Sequence, residues 1–393
     1  MLARTREDTM GNRVQLPLQT ADLVAGFMVW VILSTLLPYI KQDVTIPPDM
    51  TALVTAVPVV LGSVLRIPFG YWANLVGARA VFVASFVLLL FPVWFISEAS
   101  TWQELVVGGV FLGIGGAVFS VGVTSLPKYY PQERQGFVNG VYGLGNAGTA
   151  LTTFGAPAIA SQLGWSTTVK LYLVLLLVMA AVNLVLGDKA EPKVRVPLLE
   201  QLRAVKGSRL LWVLSAFYFV TFGAFVALTV FLPNFFASDF GLDGVAAGVL
   251  TGAFIVVAAG LRPLGGWLGD RFDCMRLLAG AFAGLSVVAL VLLASRDLAM
   301  LAAGVYVVGV ACGIGNGVVF KLVPQHFHAQ AGPVNGIVAM MGGLGGFFPP
   351  FALQASLSAT GGYGAAFATF GLCAAACLAT ALWWARTGKA ALR

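Results

Sequence analysis

Arg66-Ile-Pro-Phe-Gly70-Tyr-Trp-Ala-Asn74-Leu-Val-Gly77-Ala-Arg79 returns, shortened, as Arg262-Pro-Leu-Gly-Gly266-Trp-Leu-Gly-Asp270-Arg271. Arg66, Gly70 and Asn74 meet Arg262, Gly266 and Asp270 at a single offset of 196 residues. The same offset carries Gly136, Asn139 and Gly140 onto Gly332, Asn335 and Gly336. Two separate pairs of segments sharing an offset of half the chain length imply two homologous halves. In each half the arginine stands eight residues before the polar end of an apolar run. On a helix that is about 12 Å inward.

The surroundings of these segments are apolar. Of 393 residues, 59% are hydrophobic and 10% charged, whereas a soluble globular chain carries about 25% charged residues. This excludes secreted disulfide scaffolds, nucleic-acid binders and most soluble enzymes. Apolar runs fall at about 18–40, 51–73, 80–97, 104–127, 136–160 and 168–187, and again at about 210–237, 245–269, 277–294, 298–323, 333–357 and 364–385. Each is long enough to cross ~30 Å of hydrocarbon as a helix. The expected fold is an all-α membrane protein of twelve transmembrane helices in two pseudo-symmetric six-helix halves. Residues 1–187 form the N-terminal half, 188–209 a cytoplasmic linker and 210–393 the C-terminal half. Forty-seven glycines suit helices packed closely in lipid. Parallel six-helix halves with a site between them describe a secondary transporter.

Charge sets the expected orientation. Of the 23 Lys and Arg residues, only Lys41, Lys170 and Arg296 fall in the odd-numbered connections, Arg66 and Arg262 lie inside spans, and the rest fall on the other side. By the positive-inside rule that side, with both termini, is cytoplasmic. No cleavable leader is expected, because the polar start runs directly into a full-length span. Cys274, Cys312, Cys373 and Cys377 have no metal or disulfide spacing and read as small hydrophobes in a reducing setting. No metal and no cofactor is expected.

Arg66 and Arg262 carry the functional argument. A guanidinium at the bilayer centre costs from ~3 to above 10 kcal/mol, so two of them related by the repeat are expected to face each other across the seam. The alternative is a structural pair with a buried acid. Asp22, Asp43, Asp49, Glu98, Glu104, Asp239, Asp243 and Asp297 all read as lying at or beyond helix ends, leaving no acid at mid-depth. Two such cations attract an anion between them, and the planar donor fork of Arg matches a planar oxyanion. His326 and His328 fall in the connection between the tenth and eleventh spans and read as solvated rather than as proton carriers. Without a titrating group in the membrane, exchange of one anion for another is favoured over proton coupling.

Glycine-rich stretches sharpen the reading: Gly113-Ile-Gly115-Gly116 leading to Phe119 and Gly122, Gly136 through Asn139, Gly143, Asn146 and Gly148, Gly313-Ile-Gly315-Asn316-Gly317-Val-Val-Phe320-Lys321 through Pro324, and Gly342-Gly343-Leu-Gly345-Gly346. Small-residue packing explains part of this pattern. The loop segments at Gly70–Arg79 and Gly266–Arg271 resemble the cytoplasmic motif of the major facilitator superfamily, with Asn74 where that motif usually has Asp. The stretches from Gly113 to Gly148 and from Gly313 to Pro324 resemble the paired signatures of its nitrate/nitrite porter family, the NarK-like branch, and the run that begins Pro127-Lys-Tyr-Tyr-Pro131 resembles its short bacterial members.

That resemblance implies planar-anion binding by Arg66 and Arg262, aromatic faces from Phe27, Phe119 and Phe222, and polar support from Tyr218 and Asn146. It also implies helix bending at Gly143, Gly345 and Gly346, with Asn316 and Lys321 in packing or gating. The expected function is alternating-access transport of nitrate and nitrite, with nitrate taken up as nitrite leaves, in a bacterial inner membrane. Proton-coupled nitrate symport is the alternative within the family, and a membrane anion sensor without transport the alternative of another class. The expected partners are the two anions and the lipid bilayer, with no nucleic acid and a monomeric chain. No enzyme activity is expected.

Overall fold

The computed structural model describes residues 6–294, 297–327 and 330–387. Arg296, His328 and both chain ends lie outside the described residues. Eighteen α-helices follow one another: α1 (Arg6–Trp30), α2 (Ile32–Asp43), α3 (Thr51–Val64), α4 (Arg66–Val76), α5 (Ala78–Ser97), α6 (Trp102–Ala117), α7 (Phe119–Ser125), α8 (Gln135–Gly143), α9 (Gly148–Leu163) and α10 (Trp165–Leu186), then α11 (Leu198–Val205), α12 (Arg209–Phe240), α13 (Gly244–Gly260), α14 (Arg262–Arg271), α15 (Cys274–Ala294), α16 (Leu298–His326), α17 (Ala331–Thr360) and α18 (Gly364–Thr387). Among the described residues ten spans are long and apolar enough to cross a membrane, and the pair α3–α4, bent by 41°, makes an eleventh. The expected run at 136–160 is α8, a 3-10 turn (Leu144–Ala147) and α9.

Local chemistry explains the ends of these helices. Thr101 and Glu104 form a reciprocal capping box at the start of α6, satisfying donors that the first turn would leave bare. Asp243 and Asp297 cap α13 and α16 singly, their carboxylates accepting the N–H of Ala246 and of Met300. Gly241 and Gly361 end α12 and α17 at φ 65° and 68°, a left-handed conformation in which a Cβ would be strained. The outward faces carry Leu88, Phe91, Val174 and Leu177, all exposed. An apolar exterior of this kind fits lipid. Cys373 also faces outward rather than being buried, while Cys274, Cys312 and Cys377 are buried.

Several spans are interrupted where single helices are expected. The first breaks at Val31, the second at Leu65, the fourth at Val118, the fifth over Leu144–Ala147 and the eighth at Leu261. Broken backbone at membrane depth needs protein rather than lipid around it, and here Arg66, Phe119 and Arg262 each open the segment after a break.

The linker lies against the first six spans. Glu191 Oε2 accepts the N–H of Ala78 at 2.7 Å, its Oε1 pairs with Lys128 at 2.9 Å, and Val194 N–H donates to Asn74 O at 2.9 Å.

Candidate functional site

On the face where α1 begins and α18 ends, the first and last six spans meet through backbone. A Cβ at Gly70 would stand 3.0 Å from Gly332 O, one at Gly140 would stand 2.7 Å from Arg262 O, and one at Gly266 would run into Gly136 O. Only glycine permits such approach. Two hydrogen bonds related by the repeat cross the same seam: Asn139 Nδ2 to Phe320 O at 3.2 Å and Asn335 Nδ2 to Val123 O at 3.0 Å. Further out, Lys321 Nζ pairs with Asp270 Oδ1 at 2.6 Å and donates to Gln132 O at 2.9 Å, while Asp270 Oδ2 accepts the N–H of Phe137. Asn74, at Asp270's repeat position, packs its amide against Gly332. This face is closed. A cavity of about 540 Å³ beside Asp270, Lys321 and Trp384 lies beyond the seal.

The opposite face is different. A vestibule of about 570 Å³ opens among residues including Lys41, Thr51, Asn234 and Gln354. Thr55 and Val230 line both this vestibule and a gap of about 10 Å³ beneath it, which Trp30, Val59 and Phe225 also line. Such a gap holds a single water at most. Trp30 fills the end of this path, donating Nε1–H to Pro58 O at 3.1 Å, with its ring centroid 5.9 Å from the Arg66 guanidinium carbon. The arginines are therefore shut off by a thick glycine seam on one side and a thin aromatic-aliphatic plug on the other.

Between these barriers Arg66 is 0% and Arg262 2% exposed. Arg66 donates through Nε to Gly116 O at 3.3 Å and through Nη1 to Ala339 O at 2.6 Å, and its Nη2 has no partner. Arg262 donates through Nη2 to Tyr218 Oη at 3.3 Å, and its Nε has no partner. Neither is in an ion pair with a carboxylate among the described residues. Both guanidinium carbons face the same two rings. Arg66 lies 4.9 Å from the centroid of Phe222 and 5.4 Å from that of Phe119; Arg262 lies 5.7 and 5.4 Å away. Cation–π attraction eases the burial of each charge but leaves donors that an oxyanion can occupy.

Phe119 and Phe222 stack at 6.1 Å and 25°, and Tyr218 stacks on Phe222 at 4.8 Å and 7°. Phe320 stands edge-on to Phe119 and Tyr218, at 5.1 and 4.8 Å. Phe320 was not among the expected site residues, although it follows Asn316 by one helical turn in the glycine stretch that carries the resemblance. Phe27 is fully buried, but its ring contact is with Trp30 at 4.9 Å. Asn146 turns its amide N–H onto Gly143 O at 2.7 Å within its own 3-10 turn, leaving Oδ1 without a partner. Asn316 Oδ1 is likewise buried without a partner.

Gly143 ends α8 where a Cβ would collide with Arg262 Nε, and the helix breaks there. By contrast α17 runs through Gly345 and Gly346 unbroken. There the missing side chains let α17 approach Phe219, Gly223 and Val226 of α12. Lys321 sits outside the aromatic cluster, in the closed seam.

One expectation fails. Asp22 is not at a helix end: α1 begins at Arg6, and Asp22 is 0% exposed in its interior. Gln15 and Gln19, from the polar start of the chain, lie on the same helix before it and are buried. An acid does occur inside a span, though it binds neither arginine.

Residues 23–350 match the Major Facilitator Superfamily. The chain belongs to this superfamily. This facilitator is 52% identical over 372 residues to the nitrite extrusion protein of Bacillus subtilis (strain 168), covering 95% of this chain and 94% of that one. It is 49% identical over 363 residues to the probable nitrate transporter NarT of Staphylococcus haemolyticus (strain JCSC1435), covering 92% and 94%. It is also 49% identical over 353 residues to the NarT protein of Staphylococcus aureus (strain Newman), covering 90% and 91%. The facilitator is a multi-pass membrane transporter of this class and not an enzyme.

Proposed function

We propose that this chain transports nitrate and nitrite by alternating access, holding the anion between Arg66 and Arg262. The observation that carries the reading is the pair of guanidinium groups that share Phe119 and Phe222, with Arg66 Nη2 and Arg262 Nε unpartnered. A flat anion between them takes charge-assisted hydrogen bonds in its plane, while the rings on its faces exclude water. Tyr218 orients Arg262. Gly143 clears space for it. Asn146 holds the 3-10 turn that sets Gly143, and Phe27 backs the Trp30 plug. Kinship with proteins named nitrite extrusion protein and nitrate transporter supports the choice of anion.

In this reading the basic face with both termini is cytoplasmic in a bacterial plasma membrane, and residues 1–187 and 210–393 rock about the site as units. The state described is closed inward, with the vestibule directed outward. Binding neutralises part of the repulsion between the arginines, so the loaded site closes more readily than the empty one. Exchange of nitrate for nitrite moves no net charge, whereas unaccompanied anion uptake opposes an inside-negative potential at ~2.3 kcal/mol per charge per 100 mV. Proton-coupled nitrate symport is the second reading. It is favoured by Asp22, the buried acid that removes the argument from missing titratable groups.

Purified protein in nitrite-loaded liposomes tests the reading. Labelled nitrate is expected to accumulate by counterflow, faster than in vesicles loaded with chloride. No accumulation in nitrite-loaded vesicles would refute nitrate–nitrite transport.

A further inference from the structure

Asp22 has no part in the anion site itself. One carboxylate oxygen accepts from Asn183 Nδ2 at 2.5 Å and the other has no partner. Gln15 and Gln19 precede it at the spacing of one helix face, and all three are buried. Gln15 Nε2 donates to Leu186 O, where α10 reaches the face of the termini. Gln19 Nε2 donates to Ser125 Oγ at 3.0 Å, while its Oε1 is free. A polar stripe therefore runs from that face to Asp22 through the interior of the first six spans. Among the described residues no cation pairs with it: Asn183, its hydrogen-bond partner, is a neutral donor, and the phenol of Tyr142 on α8 lies within electrostatic reach of Asp22, Arg66 and Arg262.

We propose that Asp22 is a proton-binding site of the transport cycle, loaded as the carboxylic acid in this closed state and emptied toward the face of the termini. An isolated buried carboxylate without a cation is strongly disfavoured, so the proton arrives before or with closure. If folding alone required this polar pair, the repeat would be expected to carry it twice. At the offset of 196, however, Asp22 corresponds to Tyr218, which holds Arg262, and Asn183 corresponds to apolar Ala379.

The route to the anion is mechanical. Leu23, next to Asp22, packs where a Cβ on Gly145 would stand 2.6 Å from it. Gly145 lies in the 3-10 turn after Gly143, and Gly143 lies against Arg262 Nε. Charging Asp22 draws water along the Gln15–Gln19 stripe, moves α1 against that turn and loosens the fit at Arg262. On loading, a hydronium ion reaching Asp22 from the vestibule side breaks one of its O–H bonds, forms the O–H bond of Asp22 and leaves as water. On release that bond breaks and water on the face of the termini takes the proton. One proton with one nitrate carries no net charge.

The proposal rests on the nitrate-transport reading, and two assays separate them. Counterflow at equal pH reports transport itself; nitrate uptake into empty vesicles under an acid-outside gradient reports proton coupling. The wild-type protein is expected to do both. Asp22→Asn is expected to keep counterflow within about twofold and lose gradient-driven uptake at least about tenfold, with Asp22→Glu restoring it. Wild-type counterflow without gradient-driven uptake overturns the proposal and leaves exchange standing. Gradient-driven uptake that survives in Asp22→Asn also overturns it. So does loss of both activities in both variants, which marks Asp22 as structural. Failure of wild-type counterflow overturns the transport reading instead.

Discussion

Replacing Arg66 with Lys separates charge from geometry. Arg66 engages two backbone carbonyls, Gly116 O through Nε and Ala339 O through Nη1, and keeps Nη2 free. An ammonium gathers its donors on one atom, so a lysine that satisfies those carbonyls has no second, rigidly placed donor for an anion. The positive charge remains, so long-range attraction is unchanged. The loss is one charge-assisted hydrogen bond, about 1.5–3 kcal/mol, or roughly ten- to more than a hundredfold in nitrate Kd. Nitrate titration of the purified variant by calorimetry, with counterflow in liposomes alongside, measures it. A normally folded Arg66→Lys protein with wild-type Kd would refute the planar-fork argument.

Three further substitutions probe neighbouring parts. Gly143→Ala places a methyl group on Arg262 Nε; overpacking of this kind costs about 1–3 kcal/mol, and nitrate Kd should rise while expression is kept. Tyr218→Phe removes the hydroxyl that accepts from Arg262, and counterflow should fall by a factor of about three to ten, matching roughly 1 kcal/mol; an unchanged rate argues against a role in orienting the arginine. Asn139→Ala deletes one hydrogen bond across the closed seam and should shift the population toward the state open at that seam by about threefold to tenfold. Spin labels on either side of that seam would report the change.

Much of this was readable in the sequence because the repeat offset and the apolar runs are properties of residue order. Arg66 and Arg262 stood out because a membrane span tolerates a guanidinium only with partners. The breaks at Val31 and Val118 were not legible, since both are ordinary helix-compatible residues, whereas those at Leu65 and Leu261 stand just before Pro68 and Pro263, whose missing N–H and bulky ring interrupt the helix bond pattern there. Asp22 was misplaced because the expected span begins only at about residue 18, after a polar start, which puts Asp22 within about a turn of its end, whereas α1 begins at Arg6. In three dimensions Gln15 and Gln19 find partners on Leu186 and Ser125, and these let the helix continue. Phe320 was missed because a phenylalanine in an apolar span carries no signal until its ring is seen against Phe119.

The way the closed glycine seam is made bears on speed. Where Gly70 meets Gly332 and Gly136 meets Gly266, smooth main chain lies against smooth main chain, and few knobs must be lifted out of holes when the gate parts. What resists opening there is chiefly a few polar links, each exchangeable for a bond to incoming water. A barrier of that kind is low and insensitive to side-chain rearrangement. It also leaves the gate fragile, since a single added methyl group could wedge it ajar.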